Sequence, residues 1–101
     1  SAQRYLSEID VIWIDRGSNR IKALYEVEHS TPVYSGLLRF NDIYLTSVPV
    51  ERFTIVSNED RRSVFAKQIN RPTFIRSGLS EICSFLNYAN VYSWHQRLVK
   101  H

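Results

Sequence analysis

Two apolar runs separated by a turn constrain this chain most: Ile9-Asp-Val-Ile-Trp-Ile14 and Ile21-Lys-Ala-Leu-Tyr-Glu-Val27, joined through Arg16-Gly-Ser-Asn-Arg20. Short runs rich in Val, Ile, Trp and Tyr and bounded by turn residues read as paired strands. Polar residues do not alternate regularly along either run, so both faces of each strand are largely apolar. Such strands suit a sheet covered on two sides. Register then decides which side chains share a face. Gly17 and Asn19 tolerate positive φ, and a three-residue loop from Gly17 to Asn19 pairs Asp10 with Glu26, Ile12 with Leu24 and Trp13 with Ala23. A two- or four-residue connection pairs Asp10 with Tyr25 instead. A slip of one residue turns every side chain to the other face. Only the odd register gathers the acids on one side and sets Val11, Trp13, Tyr25 and Val27 on the other.

His29-Ser-Thr31 ends the second strand, and Thr31-Pro32 reads as an N-cap followed by proline at the first helical position. Val33, Leu37, Phe40 and Tyr44 recur at helical spacing as far as Thr46, flanked by Tyr34, Leu38 and Leu45. Ser35, Arg39, Asp42 and Thr46 form the opposite polar stripe. Gly36 lets this helix approach the sheet, and Pro49 stops it. Arg52 to Ser57 is a short strand, so the strand–helix–strand unit is expected to be a right-handed parallel crossover. Ser57 with Asp60 resembles a capping box. It opens a helix through Ile69 with Val64, Phe65 and Ile69 inward, and Arg71-Pro72 breaks it. Thr73 to Ser80 shows no dominant pattern. β-Branched and aromatic content makes Ile82 to Asn87 a fourth strand, the start of a long helix being the alternative. Ala89 to Val99 is read as a C-terminal helix.

The expected fold class is therefore α/β (α+β), a mixed sheet with an N-terminal hairpin, a right-handed βαβ crossover and helices on both faces. The 101 residues form one domain, enough to bury about 60–65% of the unfolded surface. Apolar residues make up 44% and charged residues 23%, which excludes a disordered chain. A net charge of +3 is compatible with a polyanionic partner without specifying one. Cys83 is the only cysteine, so no internal disulfide forms and a cytoplasmic, reducing compartment is expected. No apolar run approaches the roughly 18–20 residues of a membrane span, and no signal-peptide pattern opens the chain. Methionine is absent. Either an initiator was removed ahead of Ser1 or the chain is a piece of a longer protein, and the early start of the first strand favours the second.

The acids carry the chemistry. Glu26 and Glu28 point to one face of their strand while Val27 points to the other. Asp10 opposite Glu26 would complete three converging carboxylates at the end of an apolar sheet, costly unless a divalent cation neutralises them. Phosphodiester hydrolysis needs an activated water, charge neutralisation and a stabilised leaving oxygen, which carboxylate-held cations supply. Mg²⁺ requires few protein ligands, so Asp10, Glu26 and the Val27 carbonyl suffice, with Glu28 orienting or deprotonating the water. In that setting Asp10→Asn or Glu26→Gln is expected to abolish cleavage and to leave the fold intact or slightly more stable, because like-charge repulsion is relieved. The bland alternative is a solvated pair of strand-end glutamates. Cys–His zinc spacing, a glycine-rich phosphate loop and a Ser–His–acid order are all missing.

Asp10, about fifteen residues and then Glu26-Val27-Glu28 after an apolar strand resembles the core of the PD-(D/E)xK nucleases, the restriction-endonuclease-like superfamily. The string Glu-Val-Glu-His-Ser-Thr…Ser-Gly-Leu-Leu-Arg39 is similar to uncharacterised members, and the resemblance covers roughly Ile9 to Asn87. It implies a mixed central sheet flanked by helices, a DNA substrate and Mg²⁺, with Mn²⁺ able to substitute. Glu28 stands where the family usually has lysine, and the acid often supplied by an N-terminal helix has no counterpart better than Glu8. Ser30 and Thr31 are candidates to bond a phosphate at a helix start, and Arg39 to contact one from the polar stripe, against capping and a solvated arginine. His29 reads equally as a packing residue. Arg61 and Arg62 could form a small basic patch. The run Tyr88, Tyr92, Trp94, His95, Arg97, Lys100 and His101 reads as a packing or oligomer face, or as a nucleic-acid surface.

The leading expectation is a Mg²⁺-dependent endonuclease core of restriction or DNA-processing type. The alternative is a nuclease-like module that no longer cleaves and binds nucleic acid or protein. DNA is the expected partner, and a homodimer and further domains of a longer protein stay open.

Overall fold

The structure is a computed structural model, and it describes residues 11–18, 20–27, 32–46 and 49–90. Among these, strands β1 (Val11–Ile14), β2 (Ile21–Val27), β3 (Val50–Ser57) and β4 (Cys83–Asn87) form one sheet in the order β1-β2-β3-β4. The β1–β2 pair is antiparallel, and β2–β3 and β3–β4 are parallel. Helix α1 (Val33–Leu45) links β2 to β3. A 3₁₀ turn (Glu59–Arg61) and helices α2 (Arg62–Ile69), α3 (Pro72–Ser77) and α4 (Leu79–Ile82) link β3 to β4. This is the mixed α/β architecture expected, with its hairpin, its parallel crossover and the fourth strand at Cys83.

The hairpin reaches the expected register by a different route. Ile12 pairs with Leu24 and Trp13 with Ala23, but the register shifts between Trp13 and Ile14, where Ile14 meets Ile21. Asp15 N–H then donates to the Arg20 carbonyl at 2.8 Å, so the loop is longer than the three residues expected. A bulge restores the odd register that a longer loop alone would have lost. Gly17 does not adopt positive φ. The Asp15 carboxylate shapes the turn instead, accepting from Ser18 Oγ at 2.8 Å and from Gly17 N–H at 3.3 Å. Ser18 first, then Gly17, hold that carboxyl below its usual range.

One face of the sheet carries the core. Leu24, Phe53 and Ile55 point to the same side as Val33, Leu37, Phe40 and Ile43 of α1, Phe65 and Ile69 of α2, Phe74 of α3 and Leu79 of α4. Both parallel crossovers step across the sheet in the same direction, and crossovers of one hand lay their helices on one face. Phe40 packs on Phe53 with ring centroids 4.9 Å apart, and Tyr44 meets Phe53 edge-on. Residues 88–90 are helical, and the remainder of the helix expected to Val99 lies outside the described residues.

Several local expectations are corrected. Pro32 occupies the N-cap position of α1, one place before the first helical residue, and makes no side-chain cap bond. The Ser57–Asp60 capping box is not formed: Ser57 is fully buried at the end of β3, and Asn58 precedes the 3₁₀ turn. Val64 is exposed, whereas Phe65 and Ile69 are buried as expected. Phe65 and Ile69 stand four residues apart on one stripe of the helix, and Val64 lies about 100° round from Phe65. Thr73 to Ser80 resolves into α3 and α4 around Gly78, whose φ of 92° lies in the left-handed region. A side chain is disfavoured there, and a Cβ would also stand 3.1 Å from the Tyr44 hydroxyl. Cys83, at the start of β4, is half-buried, and burial pushes its thiol up to about 12.

Candidate functional site

Parallel pairing brings the C-terminal ends of β2, β3 and β4 to one edge, where Val27, Ser57 and Asn87 are the last residues. Ligands of open α/β sheets bind outside such edges. Glu26 sits one residue before the end of β2 and opposite Ile55 in the ladder. It shares the core-facing side with Leu24, and it is only 5% exposed. A carboxylate that deep requires compensation. Arg39 of α1 supplies it, its Nη1 donating to Glu26 Oε1 in a salt bridge. The polar stripe of α1 therefore does not run wholly to solvent: Arg39 turns its guanidinium onto the sheet, and its side chain is 26% exposed.

This pairing was not legible beforehand, because Arg39 and Glu26 are thirteen residues apart on different elements. It also bears on the stability of Glu26→Gln. With a cation on the carboxylate, neutralising Glu26 removes an attraction as well as any repulsion.

A second polar cluster closes the same edge at β4. Glu59 accepts from Arg62 Nε at 2.7 Å and from Asn87 Nδ2 at 2.8 Å. Asn87 Oδ1 in turn accepts from Ala89 N–H at 2.8 Å, capping the helical residues that follow. Hydrogen bonds from Arg62 first and Asn87 second hold the Glu59 carboxyl below its usual range. The Arg62 guanidinium also lies 4.8 Å from the Phe85 ring centroid. Arg62 is thus engaged with Glu59 and Phe85. Sequence reasoning missed Glu59 and Asn87; the spacing of Glu59 and Arg62, three residues apart, was the available signal.

Of the candidate residues, the structure places Glu26, Val27 and Arg39 together at the β2 end. Asp10, Glu28, Ser30, Thr31, His29 and Glu8 lie outside the described residues, as do Tyr92, Trp94, His95, Arg97, Lys100 and His101. Among the described residues no three His, Cys, Asp or Glu side chains gather as a metal-holding group. No helix among them is long and apolar enough to cross a membrane.

The family model of the type II restriction enzyme NmeDI C-terminal domain matches residues 1–100. The chain belongs to this family. Neither a curated protein nor a solved structure gives a significant match. In this NmeDI-type C-terminal domain, the candidate ligands among the described residues at the edge holding Glu26 are oxygens, the buried carboxylate itself and the backbone carbonyl of Val27. That donor chemistry fits Mg²⁺, a hard cation with oxygen ligands. Arg39 already offsets one negative charge, so a divalent ion there would draw on further acids.

Proposed function

We propose that this domain is a Mg²⁺-dependent endonuclease core that hydrolyses DNA phosphodiester bonds, of the restriction-endonuclease-like PD-(D/E)xK type. One observation carries the reading: a buried carboxylate, Glu26, stands at the C-terminal edge of parallel strands in a restriction-enzyme domain. The hairpin supports it, since the register of Ile12 with Leu24 and Trp13 with Ala23 is the one that Asp10 opposite Glu26 requires.

In this reading Asp10, Glu26 and the Val27 carbonyl hold the ion, and Mn²⁺ substitutes for Mg²⁺. When bound, the ion supplies charge neutralisation at the phosphate and a more acidic water. The chain does the rest. Glu28 orients the water or accepts its proton, replacing the positive charge that the commoner lysine brings. Arg39 fixes the Glu26 carboxylate and moderates its charge. Ser30 and Thr31 are the proposed phosphate contacts at the start of α1, and Arg39 reaches DNA only by exchanging one anion for another.

Plasmid nicking in Mg²⁺ or Mn²⁺, beside calorimetric titration of either ion, tests the proposal on wild type and Glu26→Gln. Wild-type cleavage lost in Glu26→Gln together with metal binding is the expected result. Cleavage of equal rate in both proteins would remove Glu26 from the chemistry. The Glu26–Arg39 ion pair favours a second reading, a non-cleaving module that binds nucleic acid or protein. A wild type that never cuts decides for that module.

A further inference from the structure

The opposite face of the sheet carries a different arrangement. Trp13, Ala23 and Arg52 are register partners on β1, β2 and β3 and so stand in one row across three strands. Neighbouring strands lie about 4.8 Å apart, so Trp13 and Arg52 flank Ala23 at a separation of about 10 Å. The small methyl of Ala23 is 3% exposed and floors a trough between an indole and a guanidinium. Tyr25, two residues on along the same face, is half-buried beside it. A cleft of about 300 Å³ opens here, lined by Trp13, Ala23, Tyr25 and Arg52 with Lys22 and Glu51. That volume lies at the small end of ligand-binding clefts.

Two features suit this trough to a ligand. Trp13 is 55% exposed, an unusual position for so large an apolar side chain. Arg52 is exposed, and its side chain makes no hydrogen bond, ion pair or ring contact among the described residues. Lys22 and Glu51, by contrast, neutralise each other at 3.3 Å, leaving Arg52 as the uncompensated charge of the cleft. Exposed Arg16 and Arg20 in the β1–β2 loop add positive charge at the same end of the sheet.

We propose that the Trp13–Ala23–Arg52 trough binds a nucleotide unit, its base stacked on the Trp13 indole and its phosphate paired with Arg52. A planar ring is what an indole wall beside a methyl floor accommodates, and a guanidinium is the side chain best matched to phosphate. Single-stranded DNA and a free mononucleotide share this chemistry. The trough lies on the face opposite Glu26 and at the other end of β2, so it owes nothing to the metal-dependent reading.

The test is binding without divalent cations. The probes are a labelled oligo(dT) of about twelve nucleotides, a duplex of the same length, and thymidine monophosphate followed by chemical shifts. Trp13→Ala should weaken oligo(dT) about tenfold, the effect of losing one stacked base. Trp13→Phe should retain most of the binding, and Arg52→Gln should weaken it and flatten its salt dependence by about 0.7 in log–log slope. Oligo(dT) binding far tighter than the monophosphate identifies a single strand as the ligand. Equal binding of the two, with both lost in Trp13→Ala, identifies a free nucleotide. Oligo(dT) and monophosphate that both fail to bind, or that bind Trp13→Ala and Arg52→Gln as they bind wild type, overturn the proposal. Glu26→Gln should bind as wild type, which separates this outcome from any failure of cleavage. Both trough residues are exposed, so thermal midpoints should be unchanged; should Trp13→Ala unfold, Arg52→Gln decides.

Discussion

Glu26 and Arg39 contribute unequally to their pair. Glu26's side chain is 6% exposed, whereas Arg39's is 26% exposed. Removing the guanidinium takes a counter-charge from a deep carboxylate, while removing the carboxylate leaves a cation that reaches water. Loss of one partner of a buried pair costs several kcal/mol when the remaining charge stays buried, and less when it does not. Arg39→Leu should therefore destabilise the domain by about 2–3 kcal/mol and Glu26→Gln by only about 1 kcal/mol, measured by urea unfolding. Equal losses would mean that the ion pair is not what holds these side chains. Glu28 allows a functional test at the same scale. If it handles the water while Asp10 and Glu26 hold the ion, Glu28→Ala should cripple cleavage and leave calorimetric Mg²⁺ binding in place. Glu28→Lys should not restore a standard enzyme, because a base and a fixed positive charge act differently on the same water. Unimpaired cleavage by Glu28→Ala would make Glu28 a solvated strand-end acid.

Between α3 and α4, Gly78 performs a task no other residue does as well. Its φ of 92° reverses the chain so that Phe74 and Leu79 both reach the core. Gly78→Ala should lower stability by about 1–2 kcal/mol, the cost of a Cβ in the left-handed region. Adding Tyr44→Phe removes the hydroxyl 3.1 Å away but not the strain, so the double variant should recover only part of the loss. Full recovery would assign the whole effect to the clash. At the other end of the α2–α4 segment, the Glu59 carboxylate ties the start of α2 to the end of β4 through Arg62 and Asn87. Its pKa is lowered in the folded state, with Arg62 the larger cause. A group of this kind adds stability above its unfolded value and loses it as pH falls through the folded one. Thermal midpoints of wild type and Glu59→Gln should therefore converge as pH drops below about 4.5. A constant gap down to strongly acidic pH would show that ionised Glu59 is not the clasp.

At the scale of the molecule, helices α1 to α4 pack on one face of the four-stranded sheet, and the parallel strand ends meet at the edge that holds Glu26. A ligand that binds only the folded state raises stability by mass action, by about 2.7 kcal/mol at a hundredfold excess over its Kd. Millimolar Mg²⁺ or Mn²⁺ should accordingly raise the thermal midpoint of wild type but not of Glu26→Gln. A rise of the same size in Ca²⁺-free, Mg²⁺-loaded Glu26→Gln would place the ion elsewhere.

Apolar runs bounded by turn residues were enough for the strands at Ile12 and Leu24, helical spacing for the inner face of α1 at Val33, Leu37 and Phe40, and β-branched and aromatic content favoured a strand at β4. Each signal is local, carried by the composition or spacing of a few neighbouring residues. The acid spacing also led to Glu26: Asp10 inside one apolar run, with Glu26-Val27-Glu28 closing the other, made it a carboxylate that has to be compensated. What compensates it was decided only in three dimensions: Arg39 lies on another element, and the parallel crossover alone brings it over β2. The same holds for the bulge at Trp13 and Ile14, which let a longer loop keep the pairing of Ile12 with Leu24 and of Trp13 with Ala23. The Gly78 reversal belongs here too, as the short helices around it are too brief to show a period and are held by Tyr44 and the packing of Phe74 and Leu79. Trp13 and Arg52 complete the contrast. Nothing in a linear chain sets an indole beside a guanidinium thirty-nine residues away, but hydrogen-bond register across three strands does.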